Sequence, residues 1–119
     1  MTAGIATLSL LKSTNPYPAL DRKTKYLCYQ IAKILDKKNI PHTINRMGPM
    51  FTLFFNPGPV TDYNSAAKSD TKTYARFFKH MLTSGIYLPP SQFEACFLST
   101  RHSQKDLEKA LSAVQKFVL

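Results

Sequence analysis

The chain has 119 residues, of which 44% are hydrophobic and 19% charged, a composition that excludes an intrinsically disordered chain. Two cysteines cannot form the disulfide framework of a small secreted domain, and no apolar run approaches the roughly 20 residues that span a bilayer. No basic segment precedes an apolar stretch at the start, so a signal peptide is not indicated and we expect a cytoplasmic protein. The net charge of +9 favours anionic partners without naming one.

The first half of the chain has the pattern of two helices followed by two strands. Apolar residues at three- and four-residue steps predict helices over Ala3–Lys12 and Ala19–Lys38, and Asn39 is expected to end the second one in a left-handed conformation. Alternating β-forming residues predict strands over His42–Arg46 and Met50–Phe55. The second strand is apolar on both of its faces, so we expect both faces to be covered.

The second half has the pattern of a helix, two short strands and a last helix. The polar segment Val60–Ser69 is predicted to be a loop, after which Ser69 or Asp70 caps a helix that ends at Gly85. Further elements are predicted as strands over Ile86–Leu88 and Cys96–Ser99 and a helix that begins at Ser103 with Asp106 in a capping box. The order α, α, β, β, α, β, β, α favours an α+β fold, a small, mostly antiparallel sheet with helices packed on one face.

The opening helix and the doubly apolar strand both lack an obvious cover. The helix over Ala3–Lys12 begins without a capping residue, and one sheet face can absorb only the stripes of the other helices. We therefore expect residues 1–119 to be a single domain of a larger protein, with residues 1–15 the remnant of an inter-domain helix. A homodimer, or a sandwich closed by the first helix, would bury the same surfaces.

Few residues in the chain have the spacing of a reactive site. Three histidines and two cysteines are far apart in the sequence, with no CxxC or HxxxH pair, so no metal site is predicted. No nucleophile motif and no glycine-rich phosphate loop occur. Glu94 is the only acid between Asp70 and Asp106 and follows Pro89-Pro90 on a rigid loop, where it could bind a cationic group. From physics alone, a surface acid in a turn is the preferred explanation.

The basic, aromatic composition leaves a second interpretation open. A non-enzymatic module that binds RNA or an acidic protein would fit the net charge of +9. The aromatic residues, however, fall on apolar stripes, the RNP1 pattern is absent and Met50–Phe55 contains no basic residue. These features argue against a nucleic-acid-binding sheet.

Several segments closely resemble the C-terminal part of glutamate-1-semialdehyde 2,1-aminomutases, a family of the class-III aminotransferase group. The residues that carry the resemblance are Ala3–Leu8, Asn45–Phe55, Ser69–Thr71, Tyr74–Phe78, Met81-Leu82, Gly85–Ala95, Phe97–Ser99 and His102. They cover essentially the whole chain, and the Ser-Gln-Phe-Glu loop is the most specific of them.

The resemblance implies the C-terminal small domain of an enzyme with the aspartate-aminotransferase (type I) fold. Enzymes of this family are homodimers that use pyridoxal phosphate to convert glutamate-1-semialdehyde, a small amino-aldehyde, into the tetrapyrrole precursor 5-aminolevulinate. Their Schiff-base lysine and phosphate ligands lie in the large domain, upstream of the residue that matches Met1. The resemblance therefore assigns no catalytic and no cofactor-binding residue to this chain, and the chain alone is expected to be inactive.

The resemblance also implies two substrate-binding residues. Glu94 matches the glutamate of the Ser-Gln-Phe-Glu loop, which faces the substrate side of the cofactor, and an anionic group there suits amino groups of substrate and intermediate. Ser91 is a weaker candidate for the same lining. Cys96 stands where the family usually has glycine, and Pro49 replaces a common serine, so the shape of the site could differ from that of the family.

Overall fold

The computed structural model describes residues 1–119 and contains five helices and three strands. The helices are α1 (Thr2–Thr14), α2 (Tyr17–Lys37), α3 (Tyr63–Ala66), α4 (Thr71–Thr83) and α5 (Gln104–Lys116), and the strands are β1 (Thr43–Met47), β2 (Met50–Phe54) and β3 (Cys96–Phe97). The strands form one antiparallel sheet in the order β1-β2-β3. The predicted α+β class is confirmed. No helix is long and apolar enough to cross a membrane.

One hydrophobic core lies between the sheet and the helices α2, α4 and α5. Strand β2 sends Phe51 and Leu53 into it, and the following residue Phe55 packs edge-on against Phe77 of α4, with ring centroids 5.4 Å apart. Phe117, just after α5, completes this aromatic group at 5.1 Å from Phe77. Such edge-to-face pairs add to the free energy gained from burying the rings, so the sheet and two helices share a well-defined contact.

Local chemistry sets the element ends as the sequence predicts. The side chain of Asp70 accepts hydrogen bonds from the first turn of α4, and Ser103 and Asp106 form the capping box of α5. Asn39 and Gly85 both have positive φ, 53° and 78°, and follow helices α2 and α4. Each of these predictions is confirmed.

Two predicted elements differ in the structure. Ile86–Leu88 forms no strand. Ile86 and Leu88 pack against the core while Tyr87 is exposed, so side chains are buried alternately although the segment is irregular. The next residue, Pro89, has no N–H to donate to a neighbouring strand. The segment Val60–Ser69 is not all loop, because Asp62 and Ser65 form a capping box that starts the short helix α3.

Helix α1 buries none of its residues. Ile5, Leu8 and Leu10 are 62%, 69% and 61% exposed, and only Leu11 is half-buried. The helix therefore does not cover the second sheet face within this chain, which contradicts the sandwich alternative.

The sheet face turned away from the helices also carries exposed apolar side chains. Met47, Met50 and Phe97 lie directly opposite one another across the three strands, so they share one face, and Met47 and Phe97 are 75% and 65% exposed. We call these three residues the outer row. On the same face Phe54 is buried and Thr52 half-buried. Both faces of the strand were predicted to be covered, but within this chain only the face toward the helices is fully covered.

Candidate functional site

The loop over residues 89–95 is held against the sheet by side chains from three directions. The hydroxyl of Tyr74 on α4 donates to the carbonyl of Pro89 at 2.7 Å, and the Thr52 hydroxyl on β2 donates to the carbonyl of Glu94 at 3.3 Å. The amide oxygen of Gln92 accepts the backbone N–H of Phe55 at 3.2 Å. The loop is therefore fixed to both α4 and β2, as a site that must hold one geometry requires.

Within the loop, two hydrogen bonds make a tight turn around Ser91. The backbone N–H of Glu94 donates to the carbonyl of Ser91 at 3.2 Å, and the N–H of Phe93 donates to the Ser91 hydroxyl at 3.2 Å. This turn leaves Gln92 only 2% exposed while Phe93 and Glu94 face outward. The loop thus buries an uncharged amide and presents a carboxylate.

Glu94 lies on the wall of a groove of about 650 Å³ between the loop, β3 and α5. Apolar and aromatic side chains make up most of the lining, and the ionisable side chains besides Glu94 are His102, Asp106, Lys109, the thiol of Cys96 and the phenol of Tyr87. A carboxylate on an apolar wall with few competing charges is suited to bind a cationic group of a small molecule.

The other acid and the histidine of the groove are already used in the fold. The carboxylate of Asp106 accepts both the N–H and the hydroxyl of Ser103 at 2.7 Å, and these hydrogen bonds lower its pKa. His102 accepts the N–H of Ser99 through Nδ1 at 3.0 Å, and its carbonyl accepts Lys23 Nζ at 2.5 Å. Glu94, by contrast, has no ion pair and its carboxylate accepts no hydrogen bond, so it is the groove's available anion.

The two thiols and the phenol of Tyr74 are neutral. Burial raises the pKa of Cys96 to about 12 and that of Cys28 to about 11, and burial also raises the pKa of Tyr74. Since the thiolate is the reactive form of cysteine, neither thiol is activated as a nucleophile. The groove therefore offers binding and charge, with no activated nucleophile among these groups.

The structure separates the two residues nominated for substrate binding. Ser91 is half-buried and lines a different, smaller cavity of about 140 Å³ beside Thr71 and Ala75, and its hydroxyl is used within the turn. Its connection to Glu94 is through the backbone only. No group of three His, Cys, Asp or Glu side chains that could hold a metal ion is present.

Sequence reasoning missed the residues that hold the loop, namely Thr52, Tyr74 and Gln92. Tyr74 lies on a helix and Thr52 on a strand, and nothing in their local patterns shows that their hydroxyls bond to a distant loop; a glutamine in a loop has no local pattern at all. The Gln92 partner, Phe55, lies 37 residues away in the chain, so only the fold brings the pair together.

The chain is closely similar to the C-terminal region of glutamate-1-semialdehyde 2,1-aminomutases. It is 45% identical over 116 residues to that enzyme of Natranaerobius thermophilus, which covers 98% of this chain and 27% of the relative. It is 50% identical over 112 residues to that of a Sulfurihydrogenibium species, covering 94% and 26%, respectively. The chain therefore spans about a quarter of the length of the curated relatives it matches. No protein-family model matches it.

Solved aminotransferase structures share the fold. A β-phenylalanine aminotransferase from Variovorax paradoxus superposes with a TM-score of 0.73 at 20% identity, covering 82% of this chain and 22% of that one. A transaminase with PLP bound gives a TM-score of 0.73 at 20% identity, covering 95% and 25%. In each, this chain matches about a quarter of a larger protein, which confirms the fold that the resemblance implies.

Proposed function

We propose that this chain acts as the C-terminal domain of a glutamate-1-semialdehyde 2,1-aminomutase, which forms 5-aminolevulinate for tetrapyrrole biosynthesis in the cytoplasm. The observation that carries the proposal is the match to enzymes of that name along nearly the whole chain. The fixed loop that presents Glu94 to an apolar groove supports it, because the substrate is small and carries an amino group.

In this proposal Glu94 binds ammonium groups of the substrate and the reaction intermediate. Its carboxylate has no partner in the chain, and its backbone is held at both the N–H and the carbonyl, so little freedom remains to be lost on binding. Charge-assisted hydrogen bonds between a carboxylate and an ammonium group are among the stronger polar contacts. Ser91 lines a different cavity and supports Glu94 only through the turn, in which its carbonyl accepts the Glu94 N–H.

The groove of this chain alone does not suit pyridoxal phosphate, the cofactor that the resemblance implies. The polar side chains of the groove are two carboxylates, an imidazole, the phenol of Tyr87, the thiol of Cys96 and the ammonium group of Lys109, which is exposed on α5. A phosphate requires several converging donors, and a lining with two carboxylates does not provide them. No lysine of the chain is buried, and a Schiff-base lysine is activated by desolvation or by a neighbouring cation. We assign the cofactor to the rest of the polypeptide and expect the isolated chain to be inactive.

The proposal requires two docking surfaces, and the chain offers α1 and the outer row. Both are apolar and exposed, and both lie outside the single core. Their occupant in our proposal is the large domain of the same enzyme, since the matched relatives are about four times longer than this chain. The assembled enzyme is expected to be a homodimer, as the resemblance implies.

The experiment is a chimera in which this chain replaces the matched C-terminal region of the Sulfurihydrogenibium enzyme. We expect the purified chimera to form 5-aminolevulinate from glutamate-1-semialdehyde, and the variant Glu94→Gln to lose roughly 10- to 100-fold in kcat/KM, the effect of removing one charged hydrogen-bonding partner. Glu108→Gln is the matched control, because Glu108 is exposed on α5 outside the groove. A folded, cofactor-loaded chimera without activity would contradict the proposal.

A further inference from the structure

Gln92 is the most deeply buried residue of the loop that carries Glu94. It is 2% exposed, and its amide oxygen accepts the N–H of Phe55, the residue just after β2. Of the loop residues on either side, Ser91 is half-buried and Phe93 is exposed. Gln92 thus places a polar side chain among core residues, at the position where it anchors the loop to the end of a strand.

The amide nitrogen of Gln92 is a second observation. It is the only buried side-chain nitrogen or oxygen that lacks a hydrogen-bond partner in the chain. Gln92 lines both the cavity beside Ser91 and an apolar internal cavity of about 50 Å³ that Glu94 also borders. A buried donor without a partner is costly, so an apolar side chain of similar length would fill this place better if packing were the only requirement.

We propose that Gln92 is a positioning residue that sets the place of the Glu94 carboxylate; the inference rests on the proposed function only for its catalytic consequence. Gln92 and Thr52 attach the loop to β2 at two points, one on each side of Phe93. Glu94 follows Gln92 by two residues and has no side-chain bond of its own. Its direction is therefore inherited from these attachments, of which Gln92 supplies the buried one.

The first test measures the anchor in the 119-residue chain by hydrogen exchange and NMR. Gln92→Met keeps the length of the side chain and removes the acceptor, so we expect exchange of the Phe55 amide to accelerate at least roughly ten-fold. We also expect the contact between Thr52 and residue 94 to be lost. Gln115→Met, on the exposed face of α5, is the control and should change neither.

Gln92→Glu keeps the test decisive if the methionine variant does not fold. Burial raises the pKa of a carboxyl group, so at pH 5 this side chain is expected to be neutral and to accept the N–H of Phe55 as the amide does. Protection of the Phe55 amide close to that of the unchanged chain supports the proposal. Protection that persists in Gln92→Met, or is lost in Gln92→Glu at pH 5, overturns it.

The second test asks whether Gln92 acts through Glu94. In the chimeric enzyme we expect Gln92→Met and Glu94→Gln each to lower kcat/KM, and the double variant to lose no more than the worse single variant. A residue that only stabilises the fold would give additive losses, and additive losses would overturn the inference. If the chimera with the unchanged chain is inactive, the proposed function fails, while the exchange result still decides whether Gln92 positions Glu94.

Discussion

Two phenylalanines on neighbouring strands provide a direct test of which sheet face belongs to the core. Phe51 on β2 faces the helices and is 6% exposed, whereas Phe97 on β3 lies in the outer row and is 65% exposed. Each is truncated to alanine in the isolated chain, so the chemical change is the same and only the face differs.

The expected losses follow from the burial of each ring. Replacing a fully buried phenylalanine with alanine costs about 3–5 kcal/mol of the free energy of unfolding, which Phe51→Ala should approach. Phe97 is shielded over only about a third of its surface, so Phe97→Ala should cost about 1 kcal/mol or less. The first loss is a large share of the stability of a domain of this size, about 6–18 kcal/mol.

Urea unfolding followed by circular dichroism measures both losses from the transition midpoints and slopes. In the chimeric enzyme the difference between the two losses in the free energy of unfolding should be smaller. The outer row is then covered, so Phe97→Ala costs more than it does in the isolated chain. Equal losses for the two variants in the isolated chain, or a larger loss for Phe97→Ala, would refute the assignment of the faces.

Three further predictions follow from the charges, the thiols and the exposed apolar surfaces. Hydrogen bonds lower the pKa of the carboxyl groups of Asp62, Asp70 and Asp106 in the folded chain. These carboxylates therefore stabilise the fold at a pH above their pKa in the unfolded chain, about 3.8, and this stabilisation is lost as the pH falls through their lower pKa values in the folded chain. Urea midpoints measured from pH 6 to pH 2.5 should therefore fall at the acid end, and a flat profile would contradict this cause. Both thiols, with pKa raised to about 11 and 12, should react with iodoacetamide at pH 7.5 more slowly than glutathione does, and an equal rate would show that they are not shielded. The isolated chain should self-associate or bind a hydrophobic dye through α1 and the outer row. The double variant Leu8→Lys with Phe97→Lys should reduce both self-association and dye binding. If the unchanged chain sediments as a monomer at every concentration and binds no dye, α1 and the outer row are not docking surfaces.

The sequence predicts the parts of the fold that depend on neighbouring residues. Caps at Asp70 and Ser103 are visible because a capping side chain bonds to a backbone N–H within three residues. The strand predicted over Ile86–Leu88 is wrong, because side chains can be buried alternately without strand pairing. The short helix α3 was missed although Asp62 and Ser65 have capping-box spacing, since its single turn has no apolar stripe.

The candidate site divides in the same way. Glu94 could be nominated through the resemblance of its loop, and its position as the only acid in a long stretch drew attention to it. The separation of Ser91 into another cavity and the anchoring by Gln92 depend on contacts between distant parts of the chain. Such contacts leave no periodic signal, so one sequence does not reveal them.

Recovery of activity from two separate polypeptides shows whether this chain is the C-terminal domain of an aminomutase. The Sulfurihydrogenibium aminomutase, which is 50% identical to this chain over 112 residues, would be shortened by its matched C-terminal region and titrated with the 119-residue chain. We predict that 5-aminolevulinate formation appears with saturable dependence on the added chain, and that the Leu8→Lys, Phe97→Lys double variant fails to restore it. If the shortened enzyme is folded and binds its cofactor but gains no activity from the chain at any concentration, the chain is not the C-terminal domain of such an enzyme.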